Sequence, residues 1–162
     1  MLNTFEKRLS VTLATWFGIG RIPGAPGTFG SLAACLCALP IAAAAGTPGL
    51  AFAAAAVSLL GIPAAAAAEK ALGRKDPGCI VIDEVAGQWI ALLPAAPDLA
   101  SYALAFAAFR LFDIWKPGPI GWADKNLSGG LGIMTDDIIA GGFAAAVVAL
   151  AGPFLPPVIR FF

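Results

Sequence analysis

The sequence predicts an all-α membrane protein, a polytopic helical bundle of about five short transmembrane helices plus an N-terminal interfacial helix. Hydrophobic residues make up 59% of the 162 residues and charged residues only 12%, against roughly 25% charged in an average soluble domain. No charged residue lies between Arg21 and Glu69 or within residues 138–159. Because a bilayer core of ~30 Å needs about 20 apolar residues per helix, the first uncharged block accommodates two spans and the second block one.

Net charge and rare residue types narrow the function. The chain has a net charge of zero, and since a nucleic-acid partner calls for a basic surface, we expect no nucleic acid. It has no histidine, which excludes phosphatases that use histidine as nucleophile or base. Cys35, Cys37 and Cys79 form neither a disulfide framework nor a metal-binding spacing, so we interpret them as packing residues. The length fits one domain, residues 1–162.

The amino-terminal segment predicts a helix lying in the membrane interface. Lys7 and Arg8 precede an apolar run from Leu9 to Gly20, but no small-x-small cleavage site follows and Arg21 interrupts the run, so we do not interpret it as a secretory signal. A helical period places four apolar residues on one face: Leu9, Leu13, Trp16 and Phe17. An apolar face of this kind is typical of an interfacial helix.

Glycine and proline divide the rest of the chain into five spans. The segment Gly46–Gly49 (Gly-Thr-Pro-Gly) predicts a tight turn, and Glu69–Pro77 is a charged connector. Pro94 and Pro117 end two helices because proline does not fit a helix interior, and Thr135 is a good N-cap for the last helix. The predicted spans are Phe29–Ala45, Leu50–Ala68, Cys79–Leu93, Asp98–Trp115 and Thr135–Gly152.

Basic residues predict the orientation. With five spans and a cytoplasmic amino terminus, every basic residue except Arg160 falls on the cytoplasmic side: Lys7, Arg8, Arg21, Lys70, Arg74, Lys75, Arg110, Lys116 and Lys125. This arrangement satisfies the positive-inside rule. The acidic motifs then open toward the cytoplasm.

Two acidic pairs are the main candidates for chemistry. Asp83-Glu84 stands at the predicted start of the third helix and Asp136-Asp137 at that of the fifth, and each pair leads into a glycine four residues on, Gly87 or Gly141. Small residues let neighbouring helices approach closely, so we expect the pairs to face each other. Four converging carboxylates repel one another unless a cation lies among them, and oxygen ligands suit Mg²⁺. The alternative is that each pair only complements a helix dipole.

A charged stripe follows at a spacing of three. Arg110, Asp113 and Lys116 share one helix face. Such a stripe could clamp a phosphate between Arg110 and Lys116 while Asp113 acts as ligand, nucleophile or base. A local ladder of salt bridges explains the spacing equally well.

Two glycine-rich segments supply weaker candidates for phosphate binding. Thr28 and Ser31 lie where the first span begins, and a helix amino terminus offers N–H and O–H donors to an anion. Lys125 precedes the segment Asn126–Gly132 (NLSGGLG) and is a possible phosphate contact. Turn chemistry and loop flexibility are the ordinary alternatives.

Three blocks together resemble the bacterial phosphatidylglycerophosphatase A family. They are GIGRIPGAPGTFGSLAA (18–34), IVIDEVAGQW (80–89) and FRLFDIWKPGPIGWADKNLSGGLGIMTDDIIAG (109–141), and their order and spacing match over nearly the whole chain. Lys125 stands where many relatives are expected to have arginine, which keeps the charge but loses bidentate geometry.

The resemblance implies an integral inner-membrane, Mg²⁺-dependent phosphatase that converts phosphatidylglycerophosphate to phosphatidylglycerol and inorganic phosphate. In that reading the metal ligands are Asp83, Glu84, Asp136 and Asp137, and the substrate-binding residues are Thr28, Ser31, Arg110, Lys116 and Lys125. Asp113 is either the base or the nucleophile of an aspartyl-phosphate route.

Other function classes stay open on the sequence. An ion- or proton-coupled transporter also places acids in membrane helices, although it does not require the stripe that contains Arg110 and Lys116. A non-catalytic assembly protein of the bilayer would leave the acids unexplained. A phosphatase for another lipid phosphate is the nearest alternative, because the residues indicate phosphate chemistry more clearly than a headgroup.

Overall fold

All regular structure in the described part of the chain is helical, which confirms the predicted all-α class. The computed structural model describes residues 3–156 and 158–162, so the first two residues and Pro157 of the predicted single domain lie outside it. The helices are α1 (Thr4–Ala14), α2 (Pro26–Leu72), α3 (Ile82–Leu92), α4 (Leu99–Trp115), α5 (Pro119–Asn126) and α6 (Gly129–Ala151), with 3₁₀ turns at Ile19–Arg21 and Gly152–Phe154.

Helix α2 is a helical hairpin with two arms, 26–45 and 47–72. Gly46 alone leaves helical geometry, at φ 62° and ψ −167°. A Cβ built on Gly49 would lie 3.8 Å from the carbonyl oxygen of Ile41, although residues eight apart in one straight helix are about 12 Å apart. The chain therefore turns back on itself, as the Gly-Thr-Pro-Gly segment predicted.

Within the described residues, two helical segments are long and apolar enough to cross a bilayer, namely Pro26–Leu72 and Gly129–Phe154. Helix α3, predicted as the third span, has only 11 residues, which rise about 16 Å. It begins at Ile82 and not at Cys79 because the backbone N–H of Val81 is bonded to the Ala14 carbonyl oxygen at the end of α1 (2.8 Å). Eight of its residues are buried, so α3 is the central helix of the bundle.

Helix α6 begins six residues before the predicted start near Thr135. Gly130 permits this because a Cβ there would overlap the Ile62 carbonyl of α2, so the two helices pack with their backbones in contact. The Thr135 hydroxyl donates to the Leu131 carbonyl within the helix (2.6 Å) and caps nothing. Asp136 and Asp137 consequently lie in the third turn of α6 and not at its start.

The segment predicted as a loop between Pro117 and Gly132 contains the short helix α5. Pro119 occupies the first turn, where proline is tolerated because its missing N–H has no helical partner to lose. Lys116 and Gly118 adopt left-handed conformations (φ 49° and 52°) that turn the chain between α4 and α5.

Helix α1 ends earlier than predicted, because Trp16 and Phe17 both have positive φ (45° and 57°) and leave the helix. The predicted apolar face is therefore wrong for these two residues. Ser10 and Thr15 point into the protein, whereas Leu9 is 47% and Phe17 69% exposed. Polar side chains inward and apolar side chains outward are the arrangement expected of a segment in contact with lipid.

Candidate active site

Three carboxylates converge where α3 and α6 cross. One oxygen from each of Asp83, Glu84 and Asp137 lies within 4.8 Å of the other two. The first two residues belong to the first turn of α3 and the third to the third turn of α6. The predicted meeting of the two acidic pairs is confirmed for these three residues.

Two glycines allow the helices to come this close. A Cβ on Gly141 would overlap the backbone of Gly87, and one on Gly87 would overlap the Phe109 ring and the Asp137 carbonyl. Each glycine lies one turn beyond an acid of the cluster, on the same face of its helix. The small residues predicted from the repeated spacing therefore set the separation between the carboxylates.

Asp136 belongs to a second group of charges. Lys116 Nζ donates to Asp136 Oδ2 at 2.6 Å and to Asp124 Oδ1 at 2.5 Å. Burial lowers the pKa of Lys116, but the hydrogen bonds to Asp124 and Asp136 outweigh burial and raise its pKa above the ordinary value. The side chain therefore stays charged at neutral pH. Because Lys116 follows the end of α4 in a left-handed conformation, it does not continue the predicted stripe of that helix.

Arg110 and Asp113 do share one face of α4 and form an ion pair of 2.6 Å. The same guanidinium group lies 3.9 Å from Glu84 Oε1 and donates to the Ser31 hydroxyl at 3.4 Å. Ser31, itself buried, donates to the Gly27 carbonyl of α2 (2.8 Å). Arg110 thus ties α2, α3 and α4 together directly behind the carboxylates.

A polar cavity of about 190 Å³ opens onto these groups. Its inner wall is formed by carboxylates and one cation: Asp83, Glu84, Asp113, Asp136, Asp137, Asp124 and Lys116. Glu69, Lys75 and Asp76, from the end of α2 and the following loop, also line it. The cavity is therefore acidic, with Lys116 and Lys75 as its basic side chains.

Two predicted substrate contacts lie outside this cavity lining. Thr28 is half-buried in the first turn of α2, and Lys125 is exposed near the end of α5. Ser31 and Arg110 are also absent from the lining, but Arg110 pairs with carboxylates that line the cavity, and Ser31 accepts a hydrogen bond from Arg110. The substrate-binding role of these residues stays a prediction.

Several buried polar atoms of the site have no hydrogen-bond partner in the protein, which indicates that a bound group completes the site. Among the described residues, the buried side-chain nitrogen and oxygen atoms without a hydrogen-bond partner are Asp83 Oδ1, Glu84 Oε2, Asp136 Oδ1, Arg110 Nε and both polar atoms of Gln88. Buried polar groups are normally satisfied. Two of the orphaned oxygens belong to the three-carboxylate cluster, and a hard divalent cation bound by oxygen ligands fits them.

Several residues of the site were not predicted from the sequence. Asp124, Glu69, Lys75 and Asp76 all line the cavity, but the sequence does not show which side chains of a connector or of a short helix turn toward a cavity. Gln88 was missed although a signal existed, because an amide four residues after Glu84 in an apolar helix is unusual enough to require a partner.

The fold and site together define a membrane-associated hydrolase of phosphate esters, with clustered carboxylates and a paired lysine at one end of apolar helices. More specifically, the chain belongs to the phosphatidylglycerophosphatase A family, whose model matches residues 12–152.

Curated relatives agree with the family. Phosphatidylglycerophosphatase A of Escherichia coli (strain K12) is 40% identical over 151 residues, which covers 89% of this chain and 84% of that protein. Phosphatidylglycerophosphatase A of Haemophilus influenzae is 41% identical over 138 residues, with 84% of each chain covered. A protein of Bacteroides thetaiotaomicron provisionally named phosphatidylinositol-3-phosphatase is 38% identical over 151 residues, covering 88% of this chain and 93% of its own. No solved structure matches the chain.

Proposed function

We propose that this enzyme hydrolyses phosphatidylglycerophosphate to phosphatidylglycerol and inorganic phosphate with the help of Mg²⁺. Membership of the phosphatidylglycerophosphatase A family makes it a lipid phosphatase. The observation that carries the proposal for this site is the cluster of Asp83, Glu84 and Asp137 within 4.8 Å, beside a half-buried lysine and an arginine. Carboxylates alone repel a phosphate, so the combination calls for a cation between protein and substrate.

Asp83, Glu84 and Asp137 would hold the ion. Mg²⁺ prefers carboxylate oxygens and keeps several waters, and the orphaned Asp83 Oδ1 and Glu84 Oε2 are available as ligands or as acceptors for such waters. When bound, a divalent cation neutralises charge on phosphate oxygens and lowers the pKa of a bound water. Asp136, predicted as a fourth ligand, forms its ion pair with Lys116, and we propose that it orients that lysine.

Lys116 is our candidate for the cationic contact to the phosphate. It lines the cavity, and its ion pairs with Asp124 and Asp136 hold its side chain at the cavity wall. Arg110 is held by Asp113 and lies near Glu84, so its first role is to reduce the repulsion within the carboxylate group. Charge neutralisation of this kind is the main contribution of protein side chains to phosphoryl transfer.

Asp113 lines the cavity and carries the proton or the phosphoryl group. As a base, its carboxylate takes a proton from the water whose oxygen attacks phosphorus while the bond between phosphorus and the glycerol oxygen breaks. As a nucleophile, it forms an aspartyl-phosphate that water then hydrolyses. Reduction with borohydride during turnover separates these routes. Conversion of Asp113 to homoserine, detected by mass spectrometry, identifies the aspartyl-phosphate, whereas an unmodified Asp113 in the active enzyme supports the base.

We also propose that the chain crosses the bacterial inner membrane several times with the site toward the cytoplasm. Both arms of α2, together with α4 and α6, supply four crossings, and the short α3 with the segment that leads to α4 supplies the fifth. The ends of these helices that carry the site also carry the basic residues of the connectors, whereas Arg160 forms a backbone bridge with Asp98 at the start of α4. Reactivity of single-cysteine variants at Lys75 and Arg160 toward a membrane-impermeant reagent tests this topology. The two positions should be labelled from opposite sides.

A phosphatase for a different lipid phosphate is the second candidate. The provisional name of the Bacteroides relative concerns an inositol lipid, and a cavity of about 190 Å³ selects for a phosphate group more strongly than for the alcohol that carries it. Both candidates share one chemistry, so substrate competition decides between them.

Phosphate release from the purified protein in detergent tests the function. We expect release from phosphatidylglycerophosphate in Mg²⁺, none in EDTA, and recovery when Mg²⁺ is restored. Preferential release from phosphatidylinositol-3-phosphate would replace the proposed headgroup. No release from either lipid by a folded preparation would contradict the proposal, and ion flux in proteoliposomes would then favour the transporter.

A further inference from the structure

Gln88 is a buried side chain that the proposed reaction has not yet used. It is 0% exposed, and neither its amide nitrogen nor its carbonyl oxygen has a hydrogen-bond partner. An apolar side chain of similar size would fill the same space without leaving a donor and an acceptor unpaired. The amide therefore has a cost for folding that packing does not explain.

The location of the other unpartnered atoms connects Gln88 to the site. In residues 3–156 and 158–162, every other buried side-chain atom without a partner belongs to Asp83, Glu84, Arg110 or Asp136. Three of these residues line the cavity, and Arg110 pairs with Glu84, which is one of the three. Gln88 is the remaining residue with such atoms, which indicates that its amide belongs to the same incomplete network of hydrogen bonds.

Helix geometry places Gln88 next to Glu84. The two residues are four positions apart in α3, and side chains at that spacing lie on one face, one turn from each other. Glu84 Oε2 lacks a donor and Arg110 Nε lacks an acceptor, while the amide of Gln88 offers both a donor and an acceptor. The unpaired groups are thus complementary in kind.

We infer that Gln88 is a positioning residue that orients Glu84, and with it Arg110, through a buried water held by its amide. Buried waters typically join two to four polar groups that lack partners. The amide N–H groups donate to the water or to Glu84 Oε2, and the amide oxygen receives the remaining donor. Glu84 is thereby kept in the rotamer that presents its other oxygen to the cation. The role rests on the proposed function, because it acts through a residue of the proposed metal site.

The test is the isosteric apolar variant Gln88→Met. We expect the thermal transition without metal to stay the same or rise, because an unpaired amide is removed. We expect kcat to fall about 10-fold and the Mg²⁺ concentration for half-maximal activity to rise, as for other residues that support metal ligands. Binding of Mn²⁺ followed by paramagnetic resonance should weaken in parallel, and this readout needs no turnover. Tyr102→Phe is the matched control, since it alters a buried polar side chain at the other end of α4 and should change none of the metal readouts.

The result that overturns the inference is wild-type kcat and wild-type Mn²⁺ affinity in Gln88→Met. A lower thermal transition with unchanged Mn²⁺ affinity of the folded protein would also overturn it, because that pattern identifies a purely structural role. Inactivity of the wild-type protein on every lipid phosphate, with Mn²⁺ binding still weakened by the variant, would count against the proposed reaction and in favour of the positioning role.

Discussion

The two ends of the bundle treat buried carboxylates in opposite ways. At the end away from the site, Asp98 is the N-cap of α4, and both of its oxygens accept hydrogen bonds from Ser101, at 2.9 and 3.2 Å. At the site end, Asp83 and Glu84 each keep one buried oxygen without a partner. A capping carboxylate is complete within its own helix turn. The comparison teaches that the acids of α3 are not caps, and that unpaired atoms distinguish a site from a structural feature made of the same residue type.

The largest effect should come from replacing an aspartate by asparagine at the site end of the bundle. The same replacement at the other end is the matched control. Asp83→Asn removes the charge of a proposed cation ligand, so we expect phosphate release to fall about 100-fold or more. Asp98→Asn keeps the cap, because asparagine caps helices as well as aspartate, and should retain activity. Phosphate release and thermal unfolding of both variants are the measurements. Equal activity of the two variants would remove the distinction drawn above.

A slightly smaller effect is expected from a substitution at the glycines where α3 and α6 cross. Gly141→Ala places a Cβ against the backbone of Gly87, and overpacking of this kind costs about 1–3 kcal/mol. Separation of α3 and α6 should also reduce activity about 10-fold or more. Gly142→Ala is the control, since a Cβ there meets nothing within 4 Å. Circular dichroism melts and phosphate release would show whether the neighbouring glycines differ as predicted.

The two lysines give the next test. Lys116→Met removes the proposed cationic contact and leaves Asp136 buried without its cation, so kcat/KM should fall at least about 10-fold, the effect of losing one hydrogen bond to a charged group. Lys125→Met should change kcat/KM less than about twofold, because exposed charges contribute little. Steady-state kinetics on both variants decides, and a larger loss for Lys125→Met would favour Lys125 as the main phosphate contact.

The smallest effect belongs to the end away from the site. Asp98→Ala removes the cap and should cost about 1 kcal/mol of stability, which lowers the melting temperature by about 2–4 °C in a chain of this length. Activity at a temperature well below the transition should not change. A loss of Mg²⁺-dependent turnover here would mean that the two ends are coupled.

Much of the fold was predictable from the sequence because its signals are local. Gly46 and the prolines that end α4 act on their own neighbours, so the hairpin of α2 and the end near Trp115 were placed correctly. The starts of α3 and α6 were placed wrongly because they depend on distant partners. Val81 gives its N–H to α1, and Gly130 permits contact with the carbonyl of Ile62.

The site was predictable to a similar extent. Repeated Asp-x-x-x-Gly spacing brought Asp83, Glu84 and Asp137 together, since the spacing encodes a close helix crossing. Asp136 was predicted to join them, but adjacent residues of a helix point in different directions. Asp137 faces the cluster, and Asp136 faces Lys116. Sequence cannot decide which of two adjacent acids faces which helix until the rotation of α6 is known.

The contact between Gly87 and Gly141 has a further consequence for the proposed binding of a cation. Mutual repulsion of the carboxylates pushes α3 and α6 apart, while the close packing of the two helices at these glycines holds them together. Folding therefore already includes the electrostatic cost of bringing the carboxylates together, and the proposed ligands are preorganised before an ion binds. Binding then requires little reorganisation, and removal of the ion by a chelator should leave an intact, empty coordination shell and not a partly unfolded bundle.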